Sequence, residues 1–208
     1  MDDIVLRSML KWPDVPSVYG WLRLDRRGRW LIRMPDRGDP GTAGPRFERV
    51  VNPAMIEFIG RNYAHDGEGR YLFQNGPQRV YVALEYTPWI YSLDGAGQDL
   101  VAHTGTPAGV PRAAYFDERG GLVLVCERGA GEVLDRDLAA LEQCFLDREG
   151  RPVDIEALIG ELHTGGGGMP AVRLLGADVT VEAIRSAELA ARFGFVPQPQ
   201  PPQGQPDC

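Results

Sequence analysis

Two stretches of the chain repeat one order of hydrophobic and polar positions. Each opens with a helix-capping side chain, Asn52 in the first and Asp154 in the second, followed by apolar residues at helical spacing. A glycine turn and two strand-like apolar runs complete each copy, over residues 52–82 and 154–181. The pattern therefore predicts a duplicated helix-plus-hairpin unit.

Short strand patterns separated by turn residues make up most of the remaining chain. Asp25-Arg26-Arg27-Gly28 and Asp117-Glu118-Arg119-Gly120 are examples of such turns, each placed between two apolar runs. Helical spacing recurs before Pro13 and in short segments of the second half. The predicted fold class is α+β, with mostly antiparallel sheets and hairpins and a few short helices, built from the duplicated unit.

Composition divides the chain into three parts. All four tryptophans and six of the seven tyrosines precede residue 92, whereas the net charge of −7 belongs entirely to the second half. We therefore expect an aromatic-rich α+β half over 1–104 with the first copy, and an acidic α+β half over 105–195 with the second. Repeated proline and glutamine over 196–208 predict a disordered tail.

Charge and cysteine usage narrow the setting of the protein. An acidic chain gains little from counterion release on nucleic acid, so we expect no nucleic-acid partner. The longest apolar run, residues 122–126, is too short to span a membrane, and the acidic N-terminus is unlike a secretory leader. Three cysteines without paired spacing predict reduced thiols. These features favour a cytoplasmic protein with no membrane association.

Residue patterns for catalysis, metals and cofactors do not occur in the sequence. No metal-binding motif or nucleophile motif is present, so we expect no metal, no cofactor and no catalytic residue of recognised type. His103 acting as an acid or base with Glu85 or Asp99 is the one enzymatic alternative that stays open.

An exposed aromatic sheet face is the candidate ligand site. Aromatic residues alternate along the strands of the first half, so some rings should point away from the core, and nearby charges would orient a ligand. The alternative is that these rings simply form the core of the first half. The candidate ligand-binding residues are Arg79, Tyr81, Glu85, Tyr86, Trp89 and His103.

Four segments, residues 28–32, 51–59, 69–82 and 85–89, resemble an uncharacterised family of proteobacterial proteins, a domain of unknown function. The likeness covers most of residues 1–135. The order of strand, Asn-Pro helix, hairpin and strand is more distantly similar to another uncharacterised bacterial family with repeated α+β motifs, for which a role in ligand sensing or signal transduction is conjectured. Neither resemblance implies a catalytic residue.

The functional hypothesis is a non-enzymatic bacterial module that binds a small ligand or acts in regulation or signalling. Its partner would be an unknown small molecule or protein. Two alternatives stay open. One is an enzyme of unrecognised type using the His103 pair, and the other is an interaction scaffold or homo-oligomer joined through sheet edges.

Overall fold

The computed structural model describes residues 1–35, 44–164 and 170–202. Over these residues the fold is α+β, with two sheets and five short helices, as the sequence predicts. The chain divides into two compact units. The first unit consists of Met1–Glu85 with the chain from Gly194 onward, and the second consists of Tyr86–Phe193.

The first unit holds two helices and a six-stranded mixed sheet. Its helices are α1 (Asp3–Lys11) and α2 (Pro53–Arg61). In the sheet the strands lie in the order β3-β2-β1-β6-β5-β4, and the central pair, β1 with β6, is parallel. In chain order they are β1 (Val18–Leu24), β2 (Trp30–Arg33), β3 (Phe47–Arg49), β4 (Tyr63–His65), β5 (Tyr71–Asn75) and β6 (Gln78–Leu84).

The second unit holds three helices and an eight-stranded mixed sheet. Its helices are α3 (Leu138–Glu142), α4 (Ile155–Thr164) and α5 (Leu189–Phe193), and short 3₁₀ turns precede α3 and α5. The strands lie in the order β12-β13-β14-β9-β10-β11-β7-β8, with β9–β14 and β7–β11 parallel. In chain order they are β7 (Trp89–Leu93), β8 (Leu100–Ala102), β9 (Ala113–Phe116), β10 (Leu122–Cys126), β11 (Gly129–Val133), β12 (Phe145–Leu146), β13 (Ala171–Leu174) and β14 (Ala177–Ala183).

Parallel pairing departs from the sequence expectation. Most neighbouring strands are antiparallel as predicted, but parallel pairs join the hairpins, so both sheets are mixed rather than purely antiparallel. Residues 86–104 belong to the second unit, because β7 and β8 pair with the second sheet at the edge formed by β11.

Six strands of the second unit repeat the strand order of the first. The order β11-β10-β9-β14-β13-β12 matches β3-β2-β1-β6-β5-β4, with a parallel central pair in both. The helices match differently from the prediction, since α2 follows β3 as α3 follows β11, whereas α4 lies between β12 and β13. In the first unit, β4 and β5 are joined only by residues 66–70. The duplicated helix-plus-hairpin unit, with Asn52 aligned to Asp154, is therefore not confirmed.

Four turns of the fold share one hydrogen-bonding arrangement. In each, an aspartate Oδ1 accepts hydrogen bonds from the backbone N–H groups two and four residues ahead, which fixes a turn that ends one hairpin strand and starts the next. Two of these turns lie at matching places, in the β1–β2 and β9–β10 hairpins, and two follow β4 and β12. The four aspartates are Asp25, Asp66, Asp117 and Asp147.

Both helices of the first unit are held at their ends by side chains. The Asn52 Oδ1 accepts a hydrogen bond of 3.2 Å from the Met55 N–H and caps α2, whose first residue is a proline. The Asp2 N–H donates to Asn62 Oδ1 at 2.8 Å, which joins the start of α1 to the end of α2. These bonds cap the start of α2 and join its end to α1.

The chain from Gly194 returns to the first unit and hydrogen-bonds to it. The Val196 N–H donates to the Gly69 carbonyl oxygen at 3.0 Å, and the Leu84 N–H donates to the Pro197 carbonyl oxygen at 2.7 Å. Phe195 is buried. The expected disordered tail, residues 196–208, therefore begins with a segment that is paired to the sheet, because the end of β6 offers backbone groups to it. Residues 203–208, including Cys208, lie outside the described residues.

No helix within the described ranges is long and apolar enough to cross a membrane.

Candidate functional site: an apolar groove in the first unit

The six predicted site residues are divided between the two units. Arg79 is an exposed residue of β6, and Glu85, the last residue of the first unit, is also exposed. Tyr81 is buried and stacks on Tyr19, with ring centroids 4.6 Å apart. Its hydroxyl donates to Asp66 Oδ2 at 3.2 Å, and burial raises the pKa of Tyr81. Tyr81 thus has the contacts of a core residue.

Tyr86 and Trp89, in the second unit, also make packing contacts. The Tyr86 hydroxyl donates to the Asp117 Oδ2 at 2.6 Å and so completes the partners of that buried carboxylate. The buried Trp89 ring lies 5.8 Å from the His103 ring, and the Arg128 guanidinium lies 5.6 Å from the Trp89 ring centroid. Both side chains therefore make their contacts within the second unit.

His103 is half-buried as a residue, but its Nε2 is shielded from solvent, and this decides its protonation state. Its Nδ1 accepts a hydrogen bond of 3.3 Å from the Ile90 N–H, so the proton of the neutral ring is on Nε2. Burial disfavours the imidazolium and lowers the pKa of His103 to about 3. The ring is therefore neutral at pH 7, as suits a histidine that holds two strands together.

A groove of about 340 Å³ opens on one face of the first sheet, beside α2. Side chains of β1, β2, β5, β6 and α2, together with Val50, which follows β3, form its walls. Nine of the lining residues are apolar and two carry side-chain amides. The apolar ones are Val18, Trp21, Leu22, Ile32, Val50, Met55, Ile59, Phe73 and Val80, and the amides are Asn75 and Gln78.

An irregularity in β1 helps to shape the groove. Val18 pairs with Val80 and Leu22 pairs with Val82, so β1 contains two more residues than β6 between these paired positions. The extra length brings Trp21 into the groove wall beside Leu22.

Floor and rim of the groove differ in exposure. Ile59 of α2 is buried at its base, and Phe58 packs edge-on against Phe73 with ring centroids 5.4 Å apart. Ile32 and Met55 are 39% and 37% exposed at the rim. The base is therefore a packed part of the core, whereas the rim leaves apolar surface open to solvent.

The groove walls are uncharged. Among its eleven lining residues none is ionisable under ordinary conditions, so the walls supply apolar contact and two amides. The Gln78 side chain donates to the Pro16 carbonyl oxygen at 3.3 Å, which holds one amide in place. General acid–base or nucleophilic chemistry needs groups that these walls do not contain. No group of three or more potential metal ligands occurs in the described part of the chain either.

Sequence reasoning did not single out these residues. Alternating apolar residues on β1 and β6 predict burial equally well for a filled core and for a groove. Whether side chains from another element fill the space depends on long-range packing, so the sequence carried no direct signal.

Comparisons with known proteins identify the family of the chain. The family model DUF2944, described as "Protein of unknown function (DUF2946)", matches residues 1–200. No curated protein matches the chain. It is similar to a DUF1285 family protein from Silicibacter pomeroyi DSS-3, at 13% identity and a TM-score of 0.47, over 81% of this chain and 82% of that one. It is also similar to a DUF1285 family protein from Shewanella baltica OS155, at 14% identity and a TM-score of 0.38, over 57% and 87%. The expected resemblance to an uncharacterised family is confirmed, and the chain belongs to the DUF2944 family of proteins of unknown function.

Proposed function

We propose that this protein is a non-enzymatic binding module whose groove in the first unit receives the apolar part of a small ligand. The observation that carries the proposal is the groove itself, with about 340 Å³ of space and nine apolar lining residues. Small-molecule pockets commonly span about 300–1,000 Å³ and are mostly apolar with a few polar groups that set orientation. Asn75 and Gln78 are those polar groups here.

The expected affinity is modest. Burial of about 200 Å² of apolar ligand surface stabilises a complex by roughly 5 kcal/mol before association costs. The loss of ligand freedom offsets part of this gain, so a dissociation constant of about a millimolar or weaker is expected. A neutral ligand, or one whose charge stays in solvent, fits best because the groove has no charged wall to pair with a buried charge.

The enzymatic alternative receives no support from the geometry around His103. A general base works best with a pKa near the operating pH, whereas burial holds the pKa of His103 at about 3. Its Nδ1 is also occupied by the Ile90 N–H. Both features favour a structural role for this histidine.

We also infer that the two units arose by duplication of one six-stranded unit. The shared strand order and the parallel central pair support this. Aspartate turns at matching places, Asp25 with Asp117 and Asp66 with Asp147, support it as well. In this alignment α4 is an insertion in the second unit. A cytoplasmic setting remains part of the proposal, and the free thiols Cys126 and Cys144 are compatible with a reducing compartment.

A panel of small aliphatic and aromatic compounds tests the proposed groove by thermal shift and calorimetry. Val80→Asp places a carboxylate in the groove wall and should abolish binding of any compound that raises the melting temperature. Val110→Asp is the matched control, because Val110 is an exposed valine of the second unit outside the groove. The proposal fails if no compound binds, or if Val80→Asp and Val110→Asp bind equally well.

A further inference from the structure

The groove lies on a part of the first sheet whose counterpart in the second unit is covered by the helix α4. Residue pairing in the matching hairpins gives the correspondence: Asn75 pairs with Gln78 in one, and Leu174 pairs with Ala177 in the other. The groove residue Val80 therefore corresponds to Val179. Val80 is only half-buried, whereas Val179 is buried.

The neighbouring strand shows the same difference more strongly. Leu24 pairs with Trp30 in the first unit as Phe116 pairs with Leu122 in the second, so Ile32 corresponds to Leu124. Ile32 is 39% exposed and Leu124 is 0% exposed. One sheet face is thus closed in the second unit and partly open in the first.

α4 supplies the cover in the second unit. It packs against β14, and its Leu158 is buried. The Asp178 side chain, which points to the other face of β14, is 79% exposed, so α4 lies on the face that carries Val179. In the first unit, β4 passes into β5 through a turn with no helix between them in the described chain, and α2 lines only part of the groove.

α1 is a helix with apolar residues that its own unit does not cover. Val5 is buried, but Ile4 and Leu10 are 68% and 85% exposed, and Leu6 is exposed as well. Isolated exposed apolar residues are ordinary, whereas several on one short helix mark a contact surface. Leu6 and Leu10 are four positions apart on this helix, so their side chains lie on the same side of it.

The position of α1 relative to the groove makes mutual contact feasible. The Ser8 hydroxyl oxygen lies 3.5 Å from the point where a Cβ of Gly76 would stand. Gly76 lies between the groove residues Asn75 and Gln78. α1 therefore lies at the rim of the groove, beside it and not in it. A two-fold axis near this rim would bring each α1 over the other copy's groove.

We propose that two copies of this chain form a dimer in which α1 of each copy docks on the groove of the other, in the place that α4 takes in the second unit. A two-fold dimer uses the same surface on both copies, and here that surface consists of an apolar helix and an apolar groove side by side. The inference rests on the proposed function to the extent that the groove is a binding surface. A small ligand and the second copy then compete for it.

Light scattering after size exclusion, over a series of protein concentrations, tests the dimer. The wild-type chain is expected to dimerise, whereas Leu10→Glu and Ile32→Glu are expected to be monomeric. Each change adds a charge at an exposed position, so folding should persist, as circular dichroism would check. Val110→Glu, at an exposed valine that belongs neither to α1 nor to the groove, should leave the dimer intact.

Mixing the two monomeric variants gives the sharpest readout. Leu10→Glu keeps an intact groove and Ile32→Glu keeps an intact α1, so an equal mixture should recover a weaker dimer through one undamaged contact. A monomeric wild type, a dimer that survives Leu10→Glu, or a mixture that stays monomeric would each overturn the inference. A monomeric wild type that still binds a groove ligand overturns the dimer alone. A wild-type dimer together with a monomeric Leu10→Glu variant whose free groove binds no small compound overturns the small-ligand proposal alone.

Discussion

Gly69→Ala adds one methyl group and tests how closely the chain from Gly194 onward packs against the first unit. Gly69 has a φ of +75°, and a Cβ there would collide with the carbonyl oxygen of Gly194 and lie 3.1 Å from its carbonyl carbon. Gly20, in the same unit, is a matched control. Its φ is +70°, and a Cβ would meet only Arg33 Nη1, at 3.9 Å.

The two alanine substitutions share one cost and differ in a second. A left-handed backbone conformation costs a non-glycine residue about 1–2 kcal/mol, and both Gly20→Ala and Gly69→Ala incur that cost. Gly69→Ala adds an overpacked backbone contact, worth about 1–3 kcal/mol. We therefore expect Gly69→Ala to lower the free energy of unfolding by about 1–3 kcal/mol more than Gly20→Ala.

Urea unfolding followed by circular dichroism measures the difference, and carboxypeptidase digestion shows its origin. If the returning chain moves away to relieve the collision, the hydrogen bond from the Val196 N–H to the Gly69 carbonyl oxygen is lost. Digestion from the C-terminus should then proceed past Phe195 faster in Gly69→Ala than in Gly20→Ala. Equal unfolding free energies and equal digestion rates would refute the described packing of this segment.

Three further predictions concern titratable groups. Hydrogen bonds from the Ser186 hydroxyl and N–H hold the pKa of Glu118 at about 2, so Ser186→Ala should raise that pKa toward 4.5 in an NMR titration, and an unchanged pKa would contradict the contact. Because burial lowers the pKa of His103 from 6.5 to about 3, its contribution to stability is complete above pH 6.5 and is lost as the pH falls toward 3. His103→Gln should make the free energy of unfolding less dependent on pH over this range. The slope should decrease by at most about 1.4 kcal/mol per pH unit, as measured by urea unfolding at several pH values. Burial raises the pKa of Cys126 to about 12, so native alkylation should modify the half-buried Cys144 first, and the reverse order would be inconsistent with this burial.

Local chemistry was predictable from the sequence where a few adjacent residues decide it. The Asn52 cap and the following proline start α2 as expected, and the turns at Asp25 and Asp117 close hairpins as expected. Each of these features depends on side chains that contact their own backbone neighbours. The mixed α+β class follows from the same short-range patterns.

Long-range pairing was not predictable in the same way. The parallel contacts of β1 with β6 and of β9 with β14 join strands that are distant in the chain, and alternating apolar residues do not state which partner a strand takes. In the sequence, α4 directly precedes the β13–β14 hairpin and therefore resembles α2. The helix-plus-hairpin pattern consequently aligns α4 with α2, although the strand order matches α2 with α3. The recurring aspartate turns would have given a better alignment, since they mark matching places in both units.

The candidate site was harder to predict from the sequence than the strand pairing. Tyr81 and Trp89 were chosen because aromatic rings often line ligand sites, yet both rings are buried against other side chains. The groove consists instead of aliphatic residues that look like ordinary core in the sequence. What distinguishes it is the absence, within the described first unit, of a helix corresponding to α4.

The most direct test of the central claim is an NMR titration of methyl-labelled protein with a small apolar probe such as an aromatic alcohol. The account predicts saturable shifts that are largest for the methyl groups of Val18, Ile32, Met55 and Val80, while Val110 stays unchanged. Shifts that are largest in the second unit, or no saturable shift at any groove methyl, would contradict the assignment of the groove as the binding site.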